Sequence, residues 1–444
     1  MSRRSIHLGL SMIGVGYHAA AWRHPRVPPD GMMDFEFYRH VTHTAERGLF
    51  DMVFLADGVA VRAQDEPRGS LSRSHSNVHL EPLTLLSGLA VVTRHIGLVA
   101  TASTTYNEPY HIARKFASLD HLSHGRAGWN AVTSWTDAEA RNFNRETHLG
   151  KAERYERAME FLEVVRGLWD SWDEGAFLRD KDSGRFYDED KLHVLDHRSR
   201  HFSVRGPLNV DRSPQGHPVI VQAGASDQGQ EMAAAAADVI FAAQPDLAGG
   251  KAYYRSVKGR MARYGRDPDT LKVLPGLSVI VGRTEADAQE KHRALQDLVD
   301  PLVGLAQIVG LMGDLSEYDV DGPVPDLPHL RETTRGEVLI ETARRENLTI
   351  RQLYMRVTAS RGHLSVVGTP AQVADLMQHW MEQSAADGFN ILPPYLPGGI
   401  EDFVELVVPE LQRRGLYREA YESHTLRGNL GLPEPVSRYA GGGR

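Results

Sequence analysis

Apolar runs too short to be helices recur along this chain, and each is followed by a helical pattern. The runs are Ile6–Met12, Phe50–Ala56, Ile96–Ala102, Ala127–Val132, Pro218–Gln222, Asp238–Ala242, Val273–Val281 and Gly388–Leu392. A run that is apolar at consecutive positions is buried on both faces, as a parallel strand covered by helices must be. Helical segments follow in step. Asp34 caps one that reaches Arg47, and Glu81–Thr93 and Pro109–Leu122 come next. In Arg154–Trp172, Phe161, Leu162, Val165, Leu168 and Trp169 recur at helical spacing. An Ala-rich helix begins after Ser226, and Leu247–Tyr264, Glu285–Leu298, Pro370–Ala386 and Gly399–Arg414 complete the series.

Eight strand–helix alternations predict an α/β fold, a (β/α)8 TIM barrel. An open doubly wound sheet is the other arrangement of such units, but no glycine-rich dinucleotide fingerprint follows the first strand. The expected organisation is a single barrel domain over 1–444. Insertions are expected near 173–213, which lacks strong periodicity, and near 300–360, which Pro323, Pro325 and Pro328 interrupt. The tail from Leu416 is expected to be extended, with a frayed end at Gly441–Gly443.

Composition narrows the chemistry. None of the 444 residues is cysteine, so disulfides, thiol catalysis and cysteine metal sites are excluded. The net charge is −8 with both signs mixed throughout, which argues against nucleic acid as the partner. No apolar run approaches the ~18 residues of a membrane span. Ile6–Val15 is broken by His7, Gly9 and Gly14, so no secretory leader is read there. The expectation is a cytoplasmic protein.

The stretch Phe116–Ser134 organises the reading. It is the end of a helix, a turn at Ser123-His124-Gly125, and a strand finishing at Thr133-Ser134. Trp129 and Asn130 are adjacent on that strand and so point to opposite faces. In a barrel, sites form at the C-terminal ends of strands. Those ends here carry Tyr17 and His18, Asp57, Thr104, Asn130–Ser134, Gly224-Ala225-Ser226 and Gln244. The rim is small, neutral and rich in hydroxyls, with Asp57 its one obvious carboxylate. It suits a ring with hydrogen-bonding edges better than a metal. No HExxH, GxSxG or GxxxxGK[ST] pattern occurs, and no metal site is expected. Gly224-Ala225-Ser226 ahead of a helix reads as a plain Ser cap or as a ready anion site. Tyr155, near the start of the fourth barrel helix, can donate to a phosphate or pack at an interface. Asn130 reads as a ring contact or as a satisfied core amide.

Ser118–Ser134, SLDHLSHGRAGWNAVTS, closely resembles the signature of flavin-dependent monooxygenases of the bacterial-luciferase-like superfamily. The resemblance is nearest to the nitrilotriacetate and dibenzothiophene-sulfone monooxygenase type. AAAWRHP (Ala19–Pro25), FDMVFLADG (Phe50–Gly58), TASTTYNEPYHIAR (Thr101–Arg114), the run Glu153–Trp172, SPQGHPVIVQAGASDQG (Ser213–Gly229), SVVGTP (Ser365–Pro370) and LRGNLGL (Leu426–Leu432) carry it across nearly the whole chain. It implies an enzyme that uses FMNH2 supplied by a separate NAD(P)H:flavin reductase, and O2 through a flavin (hydro)peroxide, to oxygenate a small organic substrate. It further implies Asp57, Thr104 and Asn130 along the isoalloxazine, and Gly224, Ala225, Ser226 and Tyr155 at the phosphate. Dimers or tetramers are usual in the family. Many relatives carry His-Asp before Glu-Arg-Tyr, where this chain has Lys151-Ala152. Tyr17, His18 and Trp22 in the first loop are expected on the substrate side, His18 as proton donor or base. A deazaflavin-dependent oxidoreductase and a non-catalytic flavin-binding protein are the alternatives on this fold. The rim, short of Arg and Lys, leans toward a neutral or apolar substrate.

Overall fold

The structure, a computed structural model, describes residues 5–440 apart from 63, 76, 326–339, 341–342 and 361. Its strands are β1 (His7–Met12), β2 (Met52–Leu55), β3 (Gly97–Ser103), β4 (Ala127–Val132), a two-residue hairpin β5–β6 (His197–Arg198, Ser203–Val204), β7 (Val219–Gln222), β8 (Val239–Ala242), β9 (Lys272–Val281), β10 (Leu364–Gly368) and β11 (Gly388–Leu392). The main sheet runs β9-β11-β1-β2-β3-β4-β7-β8 and returns from β8 to β9. Every pairing in it is parallel. That is a closed eight-stranded barrel, as the apolar runs predict.

The helices used below are α1 (Phe35–Arg47), α2 (Pro82–Val92), α3 (Pro109–Leu122), α4 (Asp137–Arg141), α5 (Lys151–Trp169) and α6 (Asp227–Ala236). Strand residues alternate between two cores. Leu8, Leu10, Val53, Leu98, Trp129 and Ile220 face the helices. Met52, Phe54, Val99, Val219, Val221, Val239 and Leu274 face inward and share a core with Leu426, Leu430 and Leu432. The last three belong to the tail, so the tail is not extended throughout. A short helix, Leu426–Asn429, seats Leu426 against the N-terminal ends of β3 and β4. A Cβ on Gly97 would lie 2.5 Å from Leu426, and one on Gly128 would lie 3.4 Å away. Two buried ion pairs, Arg418–Asp51 and Arg427–Asp238 (2.9 Å), fasten the tail to the barrel. The expected fraying at Gly441–Gly443 lies outside the described residues.

The organising stretch is held by Arg126, whose guanidinium is buried. It donates to the carbonyls of Ala90, Thr93, Ile96 and Ser123 and to the Thr93 hydroxyl. Two of those carbonyls belong to the end of α2, where a cation also meets the negative end of the helix dipole. Trp129 faces outward against Phe116, Phe161 and Trp169. Asn130 therefore faces the bore.

Two features depart from expectation. β10 is a ninth parallel strand, pairing only with β9. The described part of the 300–360 insertion builds a core of its own, including Ile308, Met312, Leu353 and Tyr354, and takes in Ala20 from the first loop. Pro328 lies outside the described residues.

Candidate active site

The predicted residues fall on consecutive strand ends along one arc of the barrel mouth. Asp57 follows β2, Thr104 follows β3, Asn130 lies in β4, and Gly224–Ser226 follow β7. The arc is knitted by hydrogen bonds. Asn130 Nδ2 donates to Thr101 Oγ1 (2.8 Å), and Thr101 Oγ1 donates to the Leu55 carbonyl (2.7 Å). Thr104 gives both its N–H and its hydroxyl to the Val132 carbonyl, at 2.8 and 3.1 Å. Asn130 Oδ1 is buried and accepts no hydrogen bond in the structure. A buried amide oxygen without a donor is costly, so it fits a ligand that brings an N–H. Asp57 accepts from His79 Nε2 at 2.7 Å. That hydrogen bond, against partial burial, raises the His79 pKa above its ordinary value.

At the far end of the arc, Ser226 caps the ten-residue α6 and accepts from Gly229 N at 3.2 Å. Tyr155 OH, from α5, stands 3.4 Å from Ser226 Oγ, so two hydroxyls from distant segments meet over free backbone N–H groups. Tyr253 OH fixes the turn by donating to the Gly224 carbonyl at 2.8 Å. This cradle fits a phosphate. Lys151 opens α5 and is exposed.

The first loop is pinned on two sides. Tyr17 N and His18 N donate to the Pro393 and Pro394 carbonyls (both 3.0 Å), and Leu396 N returns a bond to Val15 O (2.8 Å). From the loop after β2, His75 Nε2 donates to Gly16 O at 3.1 Å. His18 is buried, and its Nδ1 accepts from Ala20 N at 3.2 Å, which puts the proton of the neutral ring on Nε2. Tyr17 OH turns inward to within 2.5 Å of Ser11 Oγ on β1. Trp22 is not brought to this group. It is half-exposed and donates to Arg73 O at 3.1 Å, joining the two loops.

Residues 13–388 match the sequence model of the luciferase-like monooxygenases. This chain belongs to that family. It is 52% identical over 445 residues, covering 99% of both chains, to the N-acetyl-S-(2-succino)cysteine monooxygenase of Bacillus subtilis (strain 168). It is also 52% identical over 448 residues, again 99% of both chains, to nitrilotriacetate monooxygenase component A of Aminobacter aminovorans. A solved riboflavin lyase with modified FMN and riboflavin superposes with a TM-score of 0.83 at 31% identity, covering 98% of this chain and 97% of the other. The protein is a monooxygenase.

In this luciferase-like barrel the opposite arc was not foreseen from sequence. It is lined by rings. Phe241 of β8 stacks on His363 at 5.3 Å with the planes 1° apart, and Phe54, from β2 on the first arc, reaches across the bore to meet Phe241 edge-on at 5.4 Å. Tyr17 meets His363 edge-on at 6.3 Å. Inward alternation on β8 was the one signal that marks Phe241. A cleft of about 700 Å³ lies elsewhere, on the flank between α5, α6 and the tail. His217, which lines it, precedes β7 at the other end of the barrel, and its imidazole is paired with Asp170 at 2.6 Å. Sites in barrels of this kind form at the opposite, C-terminal ends of the strands. Among the described residues no cluster of potential metal ligands occurs, and no helix is long and apolar enough to cross a membrane.

Proposed function

We propose that this protein is the oxygenating component of a two-component system. It binds FMNH2 delivered by a separate NAD(P)H:flavin reductase and uses O2 to oxygenate a small organic substrate in the cytoplasm. The observation that carries the reading is the Tyr155–Ser226 hydroxyl pair over the N-terminus of α6, one arc away from the open amide oxygen of Asn130. The arc offers a cradle for a phosphate at one end and an open acceptor for a ring N–H at the other. The relative named component A supports a divided system, and the lyase with modified FMN supports the cofactor. Reduced flavin, when bound, supplies the electrons that activate O2.

The chain's own residues hold and shield it. Ser226, Tyr155 and the N–H groups of 224–226 take the phosphate, Asn130 and Thr104 meet the ring, and Asp57 anchors the loop after β2 through His79. The loops that bear His75 and Trp22 exclude water, which would otherwise divert oxygen to peroxide. His18, with its proton on Nε2, is the donor on the substrate side. The relatives are named for compounds as different as N-acetyl-S-(2-succino)cysteine and nitrilotriacetate, so substrate class is left to a screen. A homodimer or homotetramer is proposed from family habit.

The test is a titration with oxidised and dithionite-reduced FMN, repeated on Ser226→Ala and Tyr155→Phe. Each hydrogen bond to a charged group contributes about 1.5–3 kcal/mol, so each variant should bind roughly 10- to 100-fold more weakly. Parent protein that binds deazaflavin but not reduced FMN would remove the reading. His18→Ala should keep FMN affinity and lower product formed per NADH consumed; unchanged coupling excludes His18.

A further inference from the structure

β8 is short. Its four residues pair with Lys272–Pro275 of β9, and β10 pairs with Leu277–Val281. Leu277 and Ser278 also pair with β11, so β11 lies on one edge of β9 and β10 on the other. Barrel closure puts β8 on that same second edge, so β8 and β10 lie end to end along it. The residue between their two registers is Gly276. His363 precedes β10 and sits in that gap: a Cβ on Gly276 would stand 2.4 Å from His363 Nδ1 and 2.9 Å from Phe241 Cε2. The bare glycine leaves the slot in which the imidazole lies flat on Phe241. Through this seam the chain leaving the insertion puts a side chain into the bore. β9 is four strands from β3 in either direction around the barrel, so His363 stands across the mouth from Thr104.

We propose that His363 is a residue of the reaction chamber, delivered by the insertion, and forms the polar edge of an otherwise aromatic wall facing the substrate. Its neighbours in that wall are Phe54, Phe241 and Tyr17, and the Tyr17 hydroxyl is already bonded to Ser11. The insertion is then a part of the site and not only its cover. The inference rests on the FMN reading above.

Bound FMN under blue light oxidises nearby histidines, which peptide mass spectrometry locates. The experiment uses the full FMN-loaded chain, with azide quenching oxidants that escape to bulk solvent. His40 on α1, 55% exposed, is the surface control. His363 should gain oxygen at least threefold faster than His40. A smaller ratio in protein shown to hold FMN overturns this inference alone. Failure to bind FMN overturns the reading beneath it, and the inference with it.

Discussion

At the scale of single residues, Arg126 shows how a charge is made structural. Its guanidinium has no carboxylate partner among the described hydrogen bonds, only carbonyls and a hydroxyl. Burial lowers its pKa, and the neighbouring Glu46 and Asp120 act against that. Arg126→Leu would take this donor from the carbonyls of four residues and should cost about 1–3 kcal/mol for each that stays unpaired, read from denaturant unfolding. His79 supplies a pH dependence of known sign. Its folded pKa is raised by Asp57. The stability it contributes is therefore complete below the unfolded value of about 6.5 and is lost as pH rises through the higher folded value. Protection factors in residues 59–79, that is exchange rates normalised to the unstructured chain at each pH so that base catalysis cancels, should fall as pH climbs above about 6.5. Asp57→Asn should remove most of that dependence; an unchanged profile would exclude the pair.

At the scale of elements, the barrel strands were legible because each is apolar on both faces. β10 was not, because Leu364–Gly368 pairs with one strand alone and exposes Ser365. The same logic divides the site. Asp57, Thr104, Asn130 and Gly224–Ser226 sit at strand ends, which local pattern reveals. The His363–Phe241 stack joins segments that only the closed barrel brings together. Leu426 is of the second kind. Nothing local says that LRGNLGL will stop the barrel's lower end, or that Gly97 and Gly128 are bare to admit it. Leu426→Ala should cost about 2–5 kcal/mol, as core leucine truncations do, measured by urea unfolding.

At the scale of the whole molecule, loops from three places meet over the mouth. Trp22 bonds Arg73 O, Arg73 pairs with Asp300 at 3.2 Å, and Arg23 donates to Leu298 O at 2.5 Å. A surface ion pair contributes at most about 1 kcal/mol. Arg73→Ala should therefore shift the open fraction by no more than about fivefold, raising hydrogen peroxide released per O2 consumed while FMN affinity stays put. The tail carries a different consequence. Its leucines complete the inner core, yet they are translated after every strand that they pack against. The barrel's lower layer stays unfilled until Leu426–Leu432 are made, so a message cut short before Leu426 yields a chain that exposes its bore to chaperones and proteases. A protein purified with a label on its first residues is thus guarded against truncation less well than one labelled on its last.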